Sequence, residues 1–181
     1  MDLSLKLGEL IDNIPQFAID LKSNISSLFL NSEFDEKLVY GCGYASSLAI
    51  GDKHLATIFE EECNARFSPD FIESIRSVVT FISLNNVWYT FRDSMSIAEM
   101  KMAPQKLKAD IMANNAGLDK ILFESLSLCV STINGCNFCI KVHSDHLLEH
   151  DKTKEYVRNI GRIASVISSL SKVFFYKKIN H

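Results

Sequence analysis

Residues 118–150 read LDKILFESLSLCVSTINGCNFCIKVHSDHLLEH, and this stretch decides the fold. The apolar segment that begins near Leu118 predicts one helix, and Gly135 marks a break before a second helix. We place that second helix between Cys136 and His150. If the two helices pack antiparallel across the turn, Glu124 of the first faces the start of the second.

Two thiols and an imidazole share one face of this second helix. At 100° per residue, Cys136, Cys139 and His143 fall within a sector of about 60°. Unpaired N–H groups at a helix N-terminus favour a thiolate over a thiol, so Cys136 lies where a cysteine becomes nucleophilic. His143 lies one turn beyond Cys139 and is placed to take or return its proton. The spacing predicts a thiol redox site, with Glu124 as a further proton-transfer group.

The same residues also resemble a zinc ligand set, with His146 or His150 as a fourth member. On one continuous helix, however, Cys136 and His143 are separated by roughly 10 Å of axial rise. Ligand atoms around one tetrahedral ion lie ~3.5–4 Å apart. We therefore predict no metal ligands here, and we expect His146 and His150 to face solvent or a subunit contact.

The 3.6-residue period continues through most of the chain, and strand-like alternation is hard to find. It predicts an all-α fold in one domain spanning residues 1–181. The strongest helix start is Ser68-Pro69, because serine caps a helix and proline suits its first position. Helices are predicted to begin near Leu3, after Asn13, near Glu33, near Asp52, after Ser68, near Pro104, near Leu118, at Cys136 and after Asp151.

An internal duplication is a further prediction. Sliding the sequence on itself by 85 residues superposes half-repeats at about 38–91 and 123–176, although amphipathic helices also match by chance. In that alignment the places of Cys136, Cys139 and His143 are taken by Gly51, His54 and Ile58.

Composition narrows the class of protein. A chain of 181 residues that is 47% hydrophobic, with seven glycines and three prolines, is typical of a helical globular protein that needs no metal or disulfide for stability. A net charge of −3 without a basic run argues against nucleic acid or an anionic membrane as partner. The first residues lack a signal-peptide pattern, and the longest apolar stretch, 75–91, is too polar to span a membrane. We expect a cytoplasmic protein.

Other polar and sulfur-containing residues have simpler interpretations. Core packing is the default for Cys42, Cys63 and Cys129, which have no partner at an informative spacing. The run Glu60-Glu61-Glu62 is interpreted as a solvated face.

The E-x11-C-x2-C-x3-H set of Glu124, Cys136, Cys139 and His143 resembles the AhpD family of alkyl hydroperoxidases. So do the segments SLNNVWY, LKADIMANN and VSTINGCNFC. The resemblance implies an all-helical homo-oligomer, a trimer in the family's best-known form, with no bound cofactor. It further implies a thiol peroxidase that reduces a partner peroxiredoxin, AhpC. Dihydrolipoamide, carried on a lipoylated 2-oxoacid dehydrogenase subunit, would restore the dithiol.

Carried over to this chain, the resemblance makes Cys139 the thiolate that attacks the peroxide and becomes a sulfenic acid. Cys136 would resolve it as a disulfide and supply a proton, while Glu124 and His143 would relay protons. One position departs from the family, whose members commonly carry a histidine before the second cysteine. Phe138 stands there and can carry no proton, so the relay is expected to be shorter.

Two other functions remain as alternatives. One is a cysteine-based redox sensor or zinc-binding adaptor, which stoichiometric zinc would favour. The other is a carboxymuconolactone-decarboxylase-like enzyme acting on a lactone, which the paired cysteines argue against because that chemistry needs no dithiol.

Overall fold

In the computed structural model, residues 5–179 are described, and every regular element in this range is helical. The predicted all-α fold is confirmed. The α-helices are α1 (Leu5–Asp12), α2 (Asp20–Ile25), α3 (Glu36–Ile50), α4 (Lys53–Asn64), α5 (Pro69–Asp93), α6 (Ala98–Met102), α7 (Lys120–Asn134), α8 (Asn137–Glu149) and α9 (Lys154–Ile179). The predicted start near Leu3 lies outside the described residues.

Three shorter helical segments connect these helices. They are a π-helix at Ser26–Leu30, a 3-10 helix at Gln16–Ala18 and a 3-10 segment at Asp110–Gly117 that is kinked at residues 114–116.

The predicted helix near Pro104 is wrong. Residues 104–109 are irregular and mostly exposed, and Lys106 has a left-handed φ of 53°. A short helix in water depends on burying an apolar face, and this polar segment has none to bury. The chain therefore crosses this region as a loop between α6 and the 3-10 helix.

Helices α3 and α7 form the centre of the molecule. Residues 38–47 of α3 and 122–131 of α7 are buried on every side, as expected for helices without a polar face. They pack on each other, and α5 and α9 pack against both. Packing is close, since a Cβ atom added at Gly43 would lie 2.4 Å from the ring of Phe59. The central position of α7 fixes the residues that it presents to α8.

The two halves of the chain place their caps alike. Gly51 and Gly135 end α3 and α7 with left-handed φ values of 76° and 70°, and Asp52 and Cys136 cap the helices that follow. Both pairs are separated by 84 residues, one fewer than the predicted offset. When the two halves are aligned on these caps, Asp52 rather than Gly51 is the residue equivalent to Cys136. The duplication itself stays a prediction.

A buried ion pair ties α1 and α4 to the core. Glu62 and Arg66 side chains are 2% and 3% exposed, and their closest charged atoms are 2.6 Å apart. Glu62 also accepts a hydrogen bond from the backbone N–H of Leu7, while the Arg66 guanidinium lies 4.0 Å from the Tyr40 ring centroid. The solvated face predicted for the glutamate run is therefore wrong for Glu62, because the arginine one turn later neutralises it.

None of the helices within residues 5–179 is both long enough and apolar enough to cross a membrane. The apolar stretch 75–91 lies inside α5.

Candidate thiol redox site

The site is built on the hairpin between α7 and α8. Gly135 adopts the left-handed conformation that lets α7 end, and the N–H of Cys136 donates to the carbonyl of Ser131 across the turn. Cys136 is the N-cap of α8, so the predicted position at a helix N-terminus is confirmed. The turn leads α8 back along α7, and Glu124 meets His143 there.

The two cysteines lie in the first turn of α8. Cys136 Sγ accepts a hydrogen bond from the backbone N–H of Cys139 at 3.4 Å. Both side chains are buried, with 1% and 4% exposure, and both are free thiols. This arrangement places the two sulfur atoms on the same side of one helical turn.

Burial dominates the acidity of Cys139. Desolvation and the contact with Cys136 raise the pKa of this thiol to about 12, and only the nearby Asn86 amide acts noticeably in the opposite direction. Cys139 is therefore a protonated thiol near neutral pH and needs a proton acceptor before it can act as a nucleophile.

A buried carboxylate holds two imidazole rings. Glu124 is 6% exposed, its Oε2 lies 2.6 Å from His143 Nδ1, and its Oε1 lies 3.0 Å from His146 Nδ1. Desolvation raises the pKa of Glu124, but the hydrogen bonds and charge of the two histidines outweigh it, so the pKa lies below its ordinary value. Glu124 is thus ionised near neutral pH, and each ring donates its Nδ1–H to it.

His146 is the site residue that the sequence analysis missed, because it was expected to face solvent or a subunit contact. Its side chain is 42% exposed, yet it contacts Glu124. The signal was its i, i+3 spacing from His143, which places both rings on one face of α8. His150 is exposed, and its ring contacts the backbone of His146 instead of Glu124.

Glu124, His143 and His146 also offer a donor set that a divalent ion could use. Their three ligand atoms lie within 4.8 Å of one another. Neither Cys136 nor Cys139 belongs to this set, so the structure does not assemble the cysteine-histidine zinc site that we considered from the sequence.

An amide network and an aromatic cluster surround the cysteines on the α5 side. Asn86 is buried, donates to Ser131 Oγ at 2.9 Å and accepts from Asn134 at 3.0 Å. Phe138 is 38% exposed and packs on Tyr89, with ring centroids 4.8 Å apart. No proton-transfer group therefore stands between the two cysteines on α8.

The other three cysteines lie in the core, as predicted. Cys42, Cys63 and Cys129 have no exposed surface. Cys129 lies close to Cys42, and their hydrogen bond followed by desolvation raises the pKa of Cys42 well above its ordinary value. Burial raises the pKa of Cys63 to about 12. None of the three contacts a histidine or Glu124.

Comparison with known proteins identifies the family to which this helical chain belongs. Residues 98–174 match the Carboxymuconolactone decarboxylase family. A protein of Maricaulis maris named alkyl hydroperoxide reductase AhpD is 33% identical over 169 residues, which cover 93% of this chain and 97% of that protein. Proteins of the same name from Hyphomonas neptunium and Coxiella burnetii are 31% and 30% identical, covering 88% and 90% of this chain and 88% and 93% of their own lengths. The chain belongs to the AhpD family of alkyl hydroperoxide reductases.

Proposed function

We propose that this protein reduces alkyl hydroperoxides through a dithiol and disulfide cycle of Cys136 and Cys139. The observation that carries the proposal is the buried Glu124 carboxylate, held 2.6 Å from His143 on the helix that bears both thiols. Relatives named alkyl hydroperoxide reductase AhpD along nearly the whole chain support it.

The first step oxidises Cys139. Its thiol proton passes to His143, whose ring is oriented by Glu124, and the resulting thiolate attacks the terminal peroxide oxygen. The O–O bond breaks, Cys139 becomes a sulfenic acid, and the leaving alkoxide takes the Cys136 thiol proton to give the alcohol. The raised pKa of Cys139 makes the proton acceptor necessary.

The second step forms the disulfide. The Cys136 thiolate attacks the sulfur of the Cys139 sulfenic acid, the S–S bond forms, and the S–O bond breaks. The departing hydroxide takes the proton held at His143 and leaves as water. One peroxide and two thiols thus give one alcohol, one water and one disulfide.

Dihydrolipoamide, presented by a lipoylated 2-oxoacid dehydrogenase subunit, would reopen the disulfide by thiol–disulfide exchange. The dithiol would in turn reduce the disulfide of an AhpC-type peroxiredoxin. A cytoplasmic location suits this cycle, because thiols stay reduced there. Membership of the AhpD family supports the proposal of these partners.

Assembly into a homo-oligomer, proposed here as a trimer, is supported by an apolar surface along α5. Val87 is 72% exposed, Phe91 50%, and Leu107 beside them 52%. Apolar patches of this kind mark contacts between proteins.

The test is a turnover assay with purified protein, cumene hydroperoxide and dihydrolipoamide. We expect catalytic consumption of peroxide and dihydrolipoamide in equal amounts, and reduction of an oxidised AhpC-type peroxiredoxin when it replaces the peroxide. One oxidation event per protein without turnover would instead favour the redox sensor. Failure to oxidise any thiol would contradict the proposal.

A further inference from the structure

Both oxygens of the Glu124 carboxylate are engaged, each by a different histidine. Oε2 contacts His143 and Oε1 contacts His146, both through Nδ1. The proposed cycle uses His143 and leaves the second ring without a role. A buried carboxylate that accepts from two rings forms a continuous chain of hydrogen bonds from one imidazole to the other.

The two ends of this chain differ in exposure, and the carboxylate between them is the most buried member. The Glu124 side chain is 7% exposed, the His143 side chain 14% and the His146 side chain 42%. His146 is therefore the member of the chain that meets bulk water. Its Nδ1 faces the carboxylate, so its Nε2 is the ring atom left for exchange with solvent.

We propose that His146 completes the proton relay by carrying protons between Glu124 and solvent. This inference rests on the proposed peroxidase function. His146 acts through Glu124 and touches neither thiol, so it is a positioning and proton-exchange residue. His146 forms the solvent end of the proton relay. Phe138, which lies between the two cysteines, contributes no proton-transfer group to that relay.

The relay balances over each turnover. When His143 takes the Cys139 thiol proton at Nε2, the Nδ1 proton of His143 moves to Glu124. His146, which holds protons on both ring nitrogens while Glu124 is ionised, then releases its Nε2 proton to water as the carboxylate becomes neutral. When hydroxide leaves during disulfide formation, one proton returns by the same route. No net proton is consumed.

The distances favour hydrogen bonds over a bound ion. The contacts of 2.6 Å and 3.0 Å are those of N–H donors on a carboxylate, whereas ligand atoms around a tetrahedral zinc lie roughly 3.5 Å apart. Each carboxylate oxygen also faces a separate ring. Metal binding is therefore the competing outcome of the test.

The test compares His146→Asn with His150→Asn. Asparagine places an amide N–H near the position of Nδ1, so it keeps the contact with Glu124. The amide cannot take up or release a proton in the pH range where the assay is run. In the dihydrolipoamide-coupled assay we expect kcat of His146→Asn to fall ~10²-fold with KM unchanged, and imidazole added to the buffer to restore part of it. The His150→Asn variant should keep wild-type kcat, because the ring of His150 contacts the backbone carbonyl of His146 and not the Glu124 carboxylate.

Several results would overturn the inference. Equal kcat in wild type and His146→Asn would remove His146 from the relay while leaving the peroxidase function intact. A lower kcat that imidazole does not restore, together with a lower melting temperature, would show a structural role. Loss of wild-type turnover on EDTA treatment, reversed by zinc, would show a metal site. A wild type without any turnover would overturn the proposed function as well.

Discussion

Replacement of Cys139 with serine should abolish peroxide reduction, with a fall in kcat of ~10³-fold or more. The proposed cycle requires a sulfur nucleophile, and a serine hydroxyl cannot form the sulfenic acid or the disulfide. The neighbouring Cys136→Ser variant should behave differently. It should react once with peroxide and stop at the Cys139 sulfenic acid, which a dimedone adduct identified by mass spectrometry would reveal.

Cys63→Ser provides the matched control for these variants. Cys63 is fully buried, and its thiol donates to the carbonyl of Tyr40, a contact that serine can keep. We expect this variant to retain wild-type turnover. Turnover by Cys139→Ser, or a sulfenic acid found on Cys136 in that variant, would contradict the proposed assignment of Cys139 as the thiol that attacks the peroxide and Cys136 as the resolving thiol.

Replacement of Arg66 with methionine should lower the free energy of unfolding by about 3–5 kcal/mol. Methionine keeps much of the side-chain volume but leaves the buried Glu62 carboxylate without its charge partner. Urea unfolding followed by circular dichroism, at one fixed protein concentration, would measure the change.

Two further variants separate charge from packing. Arg158→Met removes an exposed arginine that lies 3.8 Å from Glu155, and it should change stability by no more than about 1 kcal/mol. Adding Glu62→Gln to Arg66→Met should recover part of the lost stability, because it removes the unpaired charge. If Arg66→Met matched Arg158→Met, the ion pair would not hold α1 and α4 to the core as described.

The helices were predictable wherever local chemistry marks them. Ser68-Pro69 starts α5 at the expected residue, and Gly135 ends α7 in the left-handed conformation that glycine favours. The helix expected near Pro104 failed because a start signal without an apolar face does not hold a short helix in water. Glu62 was misjudged because its burial depends on packing against α1, which lies 55 residues earlier in the chain.

Four members of the candidate site could be named from the sequence, but a fifth member and the environment of all five could not. Spacing brought Cys136, Cys139 and His143 to one face of α8 and pointed to Glu124. Burial raises the pKa of Cys139 to about 12. Burial depends on tertiary packing and cannot be predicted from the spacing of residues in the sequence. His146 was missed for a similar reason, since an exposed histidine shows its role only once the carboxylate that it contacts is in place.

The most direct test of the central claim is to map the disulfide that forms when wild-type protein reacts with one equivalent of alkyl hydroperoxide. The five cysteines include a second neighbouring pair, Cys42 and Cys129 in the core. A disulfide between these two is therefore the alternative product that the mapping must distinguish. Alkylation of the remaining thiols, digestion and mass spectrometry should place the disulfide between Cys136 and Cys139, with both thiols recovered after dihydrolipoamide. A disulfide between Cys42 and Cys129, or five thiols left unchanged, would contradict the account.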